Sequence, residues 1–266
     1  MDVWLEQLYL YWFWLGIPFF LCYFLLLEKY KPVNHNQSKQ GLRFLTNLSL
    51  FIFSIVTLYI LLPTSPLELA REINNEWGLF NVTNAPLLVE VLASFLVLDL
   101  VMYGQHRLLH NFPILWRVHK VHHSDIDFDC TTGLRFHPLE VLFTVCCQLV
   151  TVVTFGLSPL AILVFNFIHV PYAYFSHLNV KLGDKLENFL SLFIITPHLH
   201  RIHHSMNLID SNANFSIFLT CWDSLFGTLR RLPQTSDLIQ CGIAELENPK
   251  DTYLDTVLLL PFKSNK

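Results

Sequence analysis

Two uninterrupted apolar runs, Leu8 to Leu27 and Phe44 to Leu62, decide what this chain can fold into. Each is about twenty residues long, enough for a helix to cross the hydrocarbon core of a bilayer. Backbone polar groups in that core must be satisfied within the segment, so both runs read as membrane helices. Three shorter or interrupted runs follow, at Leu87 to Met102, Val141 to Phe155 and Leu157 to Tyr174. Glu90 and Asp99 sit inside the first of these, and "FGLSP" around Gly156 and Pro159 turns the last two into a helical hairpin that either spans or dips in. Composition agrees: 53% of the 266 residues are hydrophobic and 14% charged, and the mean hydropathy is +0.42, beyond what a soluble core requires. Asp2 and Glu6 replace the positive n-region of a signal peptide, so the first run is expected to stay as an anchor.

Charge in the loops sets an orientation. Lys29, Lys31, Lys39 and Arg43 face one acid between the first two runs, whereas Pro63 to Ala85 carries Arg71 against Glu68, Glu72 and Glu76. The positive-inside rule places the first loop in the cytoplasm. Counting crossings from there brings the chain back to the cytoplasmic side near Gln105, with His137, His177 and everything from Val180 onward on the same face. The net charge of -4 leaves no basic face for nucleic acid. The six cysteines show neither metal nor disulfide spacing and receive no function.

Five of the thirteen histidines fall within "HRLLHNFPILWRVHKVHH", at His106, His110, His119, His122 and His123. Histidines three or four apart on a helix project from one face, so His106 and His110 can address one ion. The spacing recurs in "HKVHH", where His119 aligns with His122 and His123, and in "HRIHH", where His200 aligns with His203 and His204. Four ligands close a structural zinc site, so eight imidazoles imply two ions. Ligand preference suits iron or zinc, but no "HExxH" supplies a hydrolytic base, and this favours redox chemistry on two irons. The expected fold is all-α: a multi-pass membrane protein of four to five transmembrane helices under a cytoplasmic histidine-rich helical cap holding a di-metal site. A membrane metal-ion transporter is the competing class, but its ligands belong near the bilayer midplane, whereas these cluster at helix ends on one side. A non-catalytic metal-binding protein is the third.

"HRLLH", "HKVHH" and "HRIHH", in this order, resemble the three histidine boxes of the fatty acid hydroxylase and sterol desaturase superfamily. "DLVMYGQHRLLH", "RFHPLE", "FSHLN", "TPHLHRIHHS" and "NFSIFLTCWDSLFGT" extend the resemblance over Asp99 to Thr228. It implies N-terminal transmembrane helices over 1–98, a catalytic domain over 99–228 and a cytoplasmic tail over 229–266. It also implies a non-haem di-iron enzyme that uses O2 to hydroxylate or desaturate a sterol, fatty acyl, sphingoid or alkylglycerol lipid drawn from the bilayer. Electrons would come from an external donor such as cytochrome b5, a ferredoxin or a reduced pterin, docking near Arg107, Arg117 and Lys120. The membrane would be that of the endoplasmic reticulum in a eukaryote or the inner membrane in a bacterium.

The resemblance further makes His177 a ninth ligand, with Asn179 touching iron through water or orienting a neighbour, and His198 as a substitute tenth. His137 is read as supporting a ligand or facing substrate. Asp99, two turns before His106, is expected to hold a ligand imidazole through intervening structure, with Tyr103, unless it only reaches the interface. Asp223 is read as orienting a box histidine or as a helix cap. The remaining expectations are structural. His35 is solvated, His169 is a buried hydrogen-bonded histidine, and Glu90 is interfacial. Trp116, Trp222 and Phe226 anchor at the headgroups, and "LENFLSLFII" is a half-buried interfacial helix. Asn81 in "NVT" offers a glycan acceptor.

Overall fold

The computed structural model describes residues 2–30, 32–33, 40–73, 77–83, 85–233, 239–246 and 252–263. His35, Lys31, Lys39 and Glu76 lie outside the described residues. Among the described residues there is no strand, only isolated bridges that include Pro32 with Val180 and Ser205 with Cys241.

Five helices or helix pairs are long and apolar enough to cross a membrane. The first is α1 (Asp2–Tyr11), which passes through a π turn at Trp12–Gly16 into α2 (Ile17–Tyr30). The second is α3 (Gln40–Leu61), followed at its far end by the short α4 (Pro66–Glu72) and α5 (Leu79–Thr83). The third, α6 (Leu87–Asn111), tolerates Glu90 in its first turn and buries Asp99. The last two, α8 (Pro138–Phe155) and α9 (Pro159–Ser176), form the hairpin read from "FGLSP", each long enough to span. Gly156 ends α8 at φ 66°, and Ser158 caps α9 by accepting the Ala161 N–H. Backbone approach fixes Gly78 beside it: at φ 101°, a Cβ there would lie 2.3 Å from the Gly156 nitrogen.

Lipid-facing side chains such as Tyr59, Ile60, Leu88 and Val150 are exposed around the spans. Between the helices, Leu98, Met102, Val152, Leu163 and Phe165 build a core with Leu67 and Ala70 of α4.

At the other end the cap is assembled from short helices. Pro113 starts α7 (Pro113–His123) after Phe112 turns the chain back on α6. Thr196 caps α11 (Pro197–His203), which packs against α9 and α12 (Leu208–Ser211), and α10 (Asp184–Leu190) and α13 (Cys221–Leu225) complete the short helices of this end. Leu186, Phe189, Leu192 and Phe193 are exposed on and just after α10, as expected of an interfacial segment. The C-terminal α14 (Leu254–Leu259) folds back on the cap, where Val257 and Leu260 pack against Leu50 and Val121.

Buried charge ties the cap to the membrane helices. Arg43 on α3 donates through Nε and Nη2 to both oxygens of Asp125, each at 2.8 Å, and through Nη1 to Asp129. Glu28 on α2 accepts the backbone N–H groups of Cys130 and Asn179, both at 2.8 Å. Arg135 donates to Asn47 of α3, to the Val121 and Thr252 carbonyls and to Ser124. These contacts place the ends of α2 and α3 nearest the first loop on the same face as the histidines.

Candidate metal centre

The nine histidines singled out from sequence converge, and they divide in two. His106, His110, His119, His123 and His203 form one group whose ligand nitrogens all lie within 4.8 Å of one another; His122, His177, His200 and His204 form a second. The doublets explain the division. Adjacent residues on a helix diverge by about 100°, so His122 and His123 enter different groups, as do His203 and His204. The His123 and His204 rings then stack at 4.4 Å and 15°, joining the two sites.

Second partners fix which nitrogen faces inward. Nδ1 of His106 lies 2.7 Å from the Phe215 carbonyl, and that of His203 lies 2.8 Å from the Ala213 carbonyl. Nδ1 of His122 lies 3.1 Å from the Arg135 carbonyl, and that of His177 lies 2.6 Å from the Ala173 carbonyl. A carbonyl only accepts, so each Nδ1 carries the proton and each Nε2 a lone pair. The Nε2 atoms of His122 and His177 nevertheless face each other at 3.2 Å. Two lone pairs cannot hydrogen-bond, but a cation between them makes this contact favourable. Metal–imidazole bonds of about 2.1 Å at right angles place two nitrogens about 3.0 Å apart. The pairs His106 with His119, His110 with His123 and His177 with His200 stand at 3.1, 3.1 and 3.0 Å. Nε2 of His203 is buried with no partner among the described residues. The residues therefore fit two metal ions, one per group.

Burial keeps the rings in ligand form. His119, His122, His123, His200, His203 and His204 titrate well below an ordinary histidine, first because they are desolvated and then because neighbouring imidazoles oppose a second charge. His177 is pushed down to about 4, chiefly by burial.

Among the described residues one carboxylate hydrogen-bonds to the converging imidazoles, and sequence reasoning missed it. Glu140, on the first turn of α8, accepts the Nδ1 proton of His119 at 2.7 Å, and its other oxygen has no partner among the described residues. It belongs to "RFHPLE", but an acid three positions into a helix reads equally well as a dipole partner, so no local signal set it apart.

The other expected residues take definite places. Asp99 hydrogen-bonds to no imidazole among the described residues; its Oδ2 accepts the Leu219 N–H at 3.1 Å and the Trp222 indole N–H at 2.8 Å. Asp223 accepts the Phe215 and Ser216 N–H groups, and Thr228, bonded to the Tyr103 hydroxyl, donates to it. Both acids thus hold the segment whose Phe215 carbonyl orients His106. His137 differs from expectation: it caps α8 by accepting the Leu139 N–H, and its Nε2 lies 3.3 Å from the Leu258 carbonyl, so neither nitrogen meets one of the nine converging imidazoles. Asn179 is buried, with its N–H on Glu28 and its carbonyl accepting from Val33. His198 lies outside both groups, 2.9 Å from the Leu232 carbonyl.

Three surface expectations are corrected. Trp116 packs on His110 and His123, at 5.0 and 5.4 Å, instead of anchoring at headgroups, and the Trp222 indole is taken by Asp99. Lys120 is buried beside Glu245, and Arg117 donates to the Lys263 carbonyl, so the folded-back C-terminal segment occupies two of the three residues proposed for donor docking.

A cavity of about 980 Å³ opens from the histidines into the membrane region. His106, His119, His122, His177 and His200 line one end, and Leu58, Leu62 and Pro63 the other. His169 lines it too and makes no hydrogen bond among the described residues, contrary to its reading as a satisfied core histidine; its ring stacks on Phe165.

The fatty acid hydroxylase family matches residues 91–228, just over half of the chain. An ornithine lipid hydroxylase of Rhizobium tropici is 33% identical over 57% of this chain and 45% of its own length. Human alkylglycerol monooxygenase is 32% identical over 51% of this chain and 29% of its own. An Arabidopsis thaliana methylsterol monooxygenase is 28% identical over 85% of this chain and 86% of its own. The chain spans less than half the length of the first two relatives. No solved structure matches.

Proposed function

Because the chain belongs to the fatty acid hydroxylase family, we propose that it is a membrane-bound di-iron enzyme that uses O2 to hydroxylate or desaturate a lipid C–H bond. The observation that carries this reading is the pair of converging imidazole groups at the end of an apolar cavity. Two irons held there would supply O2 reduction and the oxidising strength to break an unactivated C–H bond. Hydroxylation balances as R–H with O2, two electrons and two protons giving R–OH and water.

The chain's own residues set the conditions. The nine histidines, His106, His110, His119, His123 and His203 in one site and His122, His177, His200 and His204 in the other, are the metal ligands. Glu140 and the carbonyls of Phe215, Ala213, Arg135 and Ala173 keep five of the nine rings in one tautomer and orientation. Asp223 is a positioning residue for His106 through the Phe215 and Ser216 peptides, and Asp99 holds the same segment further along, at Leu219 and Trp222. Phe136, stacked on His122 at 4.4 Å, helps exclude water, and the apolar cavity walls present the substrate chain to the metals. The two electrons come from an external donor such as cytochrome b5, a ferredoxin or a reduced pterin, delivered on the cytoplasmic face of the endoplasmic reticulum or bacterial inner membrane. The relatives hydroxylate or mono-oxygenate ornithine lipids, alkylglycerols and methylsterols by name, and a lipid from the bilayer is the substrate class proposed here.

The test is O2 uptake by iron-loaded, detergent-purified chain with a chemical reductant and a panel of sterols, fatty acyl lipids, sphingoid bases and alkylglycerols. One lipid should stimulate uptake and gain one oxygen or lose two hydrogens by mass spectrometry, and His200→Ala should abolish both effects. Iron-loaded chain that no lipid stimulates would point to a non-catalytic metal protein.

A further inference from the structure

Midway along the cavity, beyond the Gln105–Thr144 pair that lies nearer the histidines, three more polar side chains stand in the wall. Gln148 on α8, and Asn166 and His169 on α9, all line it, near the centres of two membrane-crossing helices. A polar group at that depth is costly unless it is partnered. Among the described residues, neither Asn166 nor His169 makes a hydrogen bond, and Gln148 makes only a 3.9 Å contact with the Met102 sulfur. Each is half-buried, so the cavity they line is open to them. Their places match in depth. His169 lies eight residues before His177 and Gln148 eight residues after Glu140, which is about 12 Å from the histidine end on either helix; Asn166, one turn further, lies at about 16 Å.

The charge of the wall narrows what can sit there. No Lys or Arg is among the residues lining the cavity, and its acids, Glu140 and Glu68, lie toward its two ends. A phosphate or carboxylate would be buried without a counter-charge, whereas a neutral donor or acceptor would satisfy groups that are otherwise unpaired.

We propose that Gln148, Asn166 and His169 form a recognition subsite for an uncharged hydrogen-bonding group, a hydroxyl or carbonyl, on the lipid whose reacting carbon lies at the histidine end. The proposal rests on the oxygenase reading for which end reacts, but the subsite itself is a matter of binding. An extended chain advances roughly 1.2 Å per bond, so the polar group stands about ten to thirteen bonds from the oxidised carbon. The subsite selects amphiphiles with a neutral polar function at that separation over plain acyl or alkyl chains, and it fixes which carbon reaches the metals.

Hexadecan-1-ol and hexadecane share one chain and differ by a hydroxyl. Competition of each against tritiated hexadecan-1-ol on the purified full chain should show the alcohol binding about tenfold tighter, the size of a buried neutral hydrogen bond. In Asn166→Leu/His169→Leu the two should bind within about twofold of each other, with hexadecane affinity kept, and His169→Gln should retain the preference. Thermal unfolding checks each variant, and His169→Leu alone carries the comparison where the double variant does not fold. Equal binding of the two probes to the parent, an alcohol preference that survives in the leucine variants, or no binding of either probe overturns the subsite. No turnover is required, so a failed oxygenase assay leaves this result intact.

Discussion

Glu140 touches only one of the nine imidazoles, and this makes it a probe of how the centre is divided. Its buried carboxylate accepts the His119 Nδ1 proton at 2.7 Å at the histidine end of the cavity, and His119 belongs to the five-histidine group alone. Glu140→Gln keeps an acceptor of the same reach but removes the charge. A charge-assisted bond is about twice as strong as a neutral one, so the loss is about 1 kcal/mol, or roughly fivefold in the affinity of that site. Glu140→Leu removes the acceptor and leaves the ring free to rotate. Loss of such an outer partner costs about 10- to 100-fold in metal affinity, or about 1.4 to 2.7 kcal/mol. The assay is iron release to a graded chelator from purified chain, followed by iron counting. The leucine variant should release one of two irons at about 10- to 100-fold lower chelator, with the second iron unmoved and the glutamine variant between it and the parent. Equal weakening of both irons, or no change in either, would refute the assignment of His119 and Glu140 to one site.

Other perturbations act on the frame around the centre. Arg43→Met leaves Asp125 and Asp129 buried without their cation and should cost about 3–5 kcal/mol, read as a lower Tm of the purified chain; an unchanged Tm would contradict the clamp. Gly78→Ala meets the Gly156 backbone and a positive φ, so backbone strain alone should cost about 1–3 kcal/mol, whereas Gly41→Ala in α3, with open space around its Cβ, should be neutral or slightly stabilising by the same assay. The depressed imidazoles set a pH window. A histidine with a lowered pKa takes up its proton only well below 6.5, so protons begin to compete with metal late; His177 does so near 4. Iron retention should be flat from pH 8 to 6, and half-loss near 6.5 would show ordinary, solvated ligands.

Eight of the nine converging histidines were legible because they are local: three- and four-residue spacing on a helix puts imidazoles on one face, and each doublet feeds both groups, whereas His177 came only from the family resemblance. What orients those ligands was not legible. Phe215, Ala213 and Arg135 act through backbone carbonyls that carry no side-chain signature, and Glu140 meets His119 only because α8 packs beside α7. The spans followed from apolar run length, but the cover over them did not. Lys120 and Arg117 read as a solvent-facing basic patch until the C-terminal segment folded back upon them. His169 failed as a satisfied core residue for a related reason: hydropathy places a histidine in a membrane helix but cannot show that its neighbours leave a cavity there.

Iron counting by elemental mass spectrometry on three iron-supplemented preparations tests the centre most directly: the parent chain, His203→Ala from the five-histidine group and His200→Ala from the four-histidine group. The two-site geometry requires about two irons per chain in the parent and about one in each variant. One iron in the parent, or stoichiometric zinc that survives both substitutions, would contradict it.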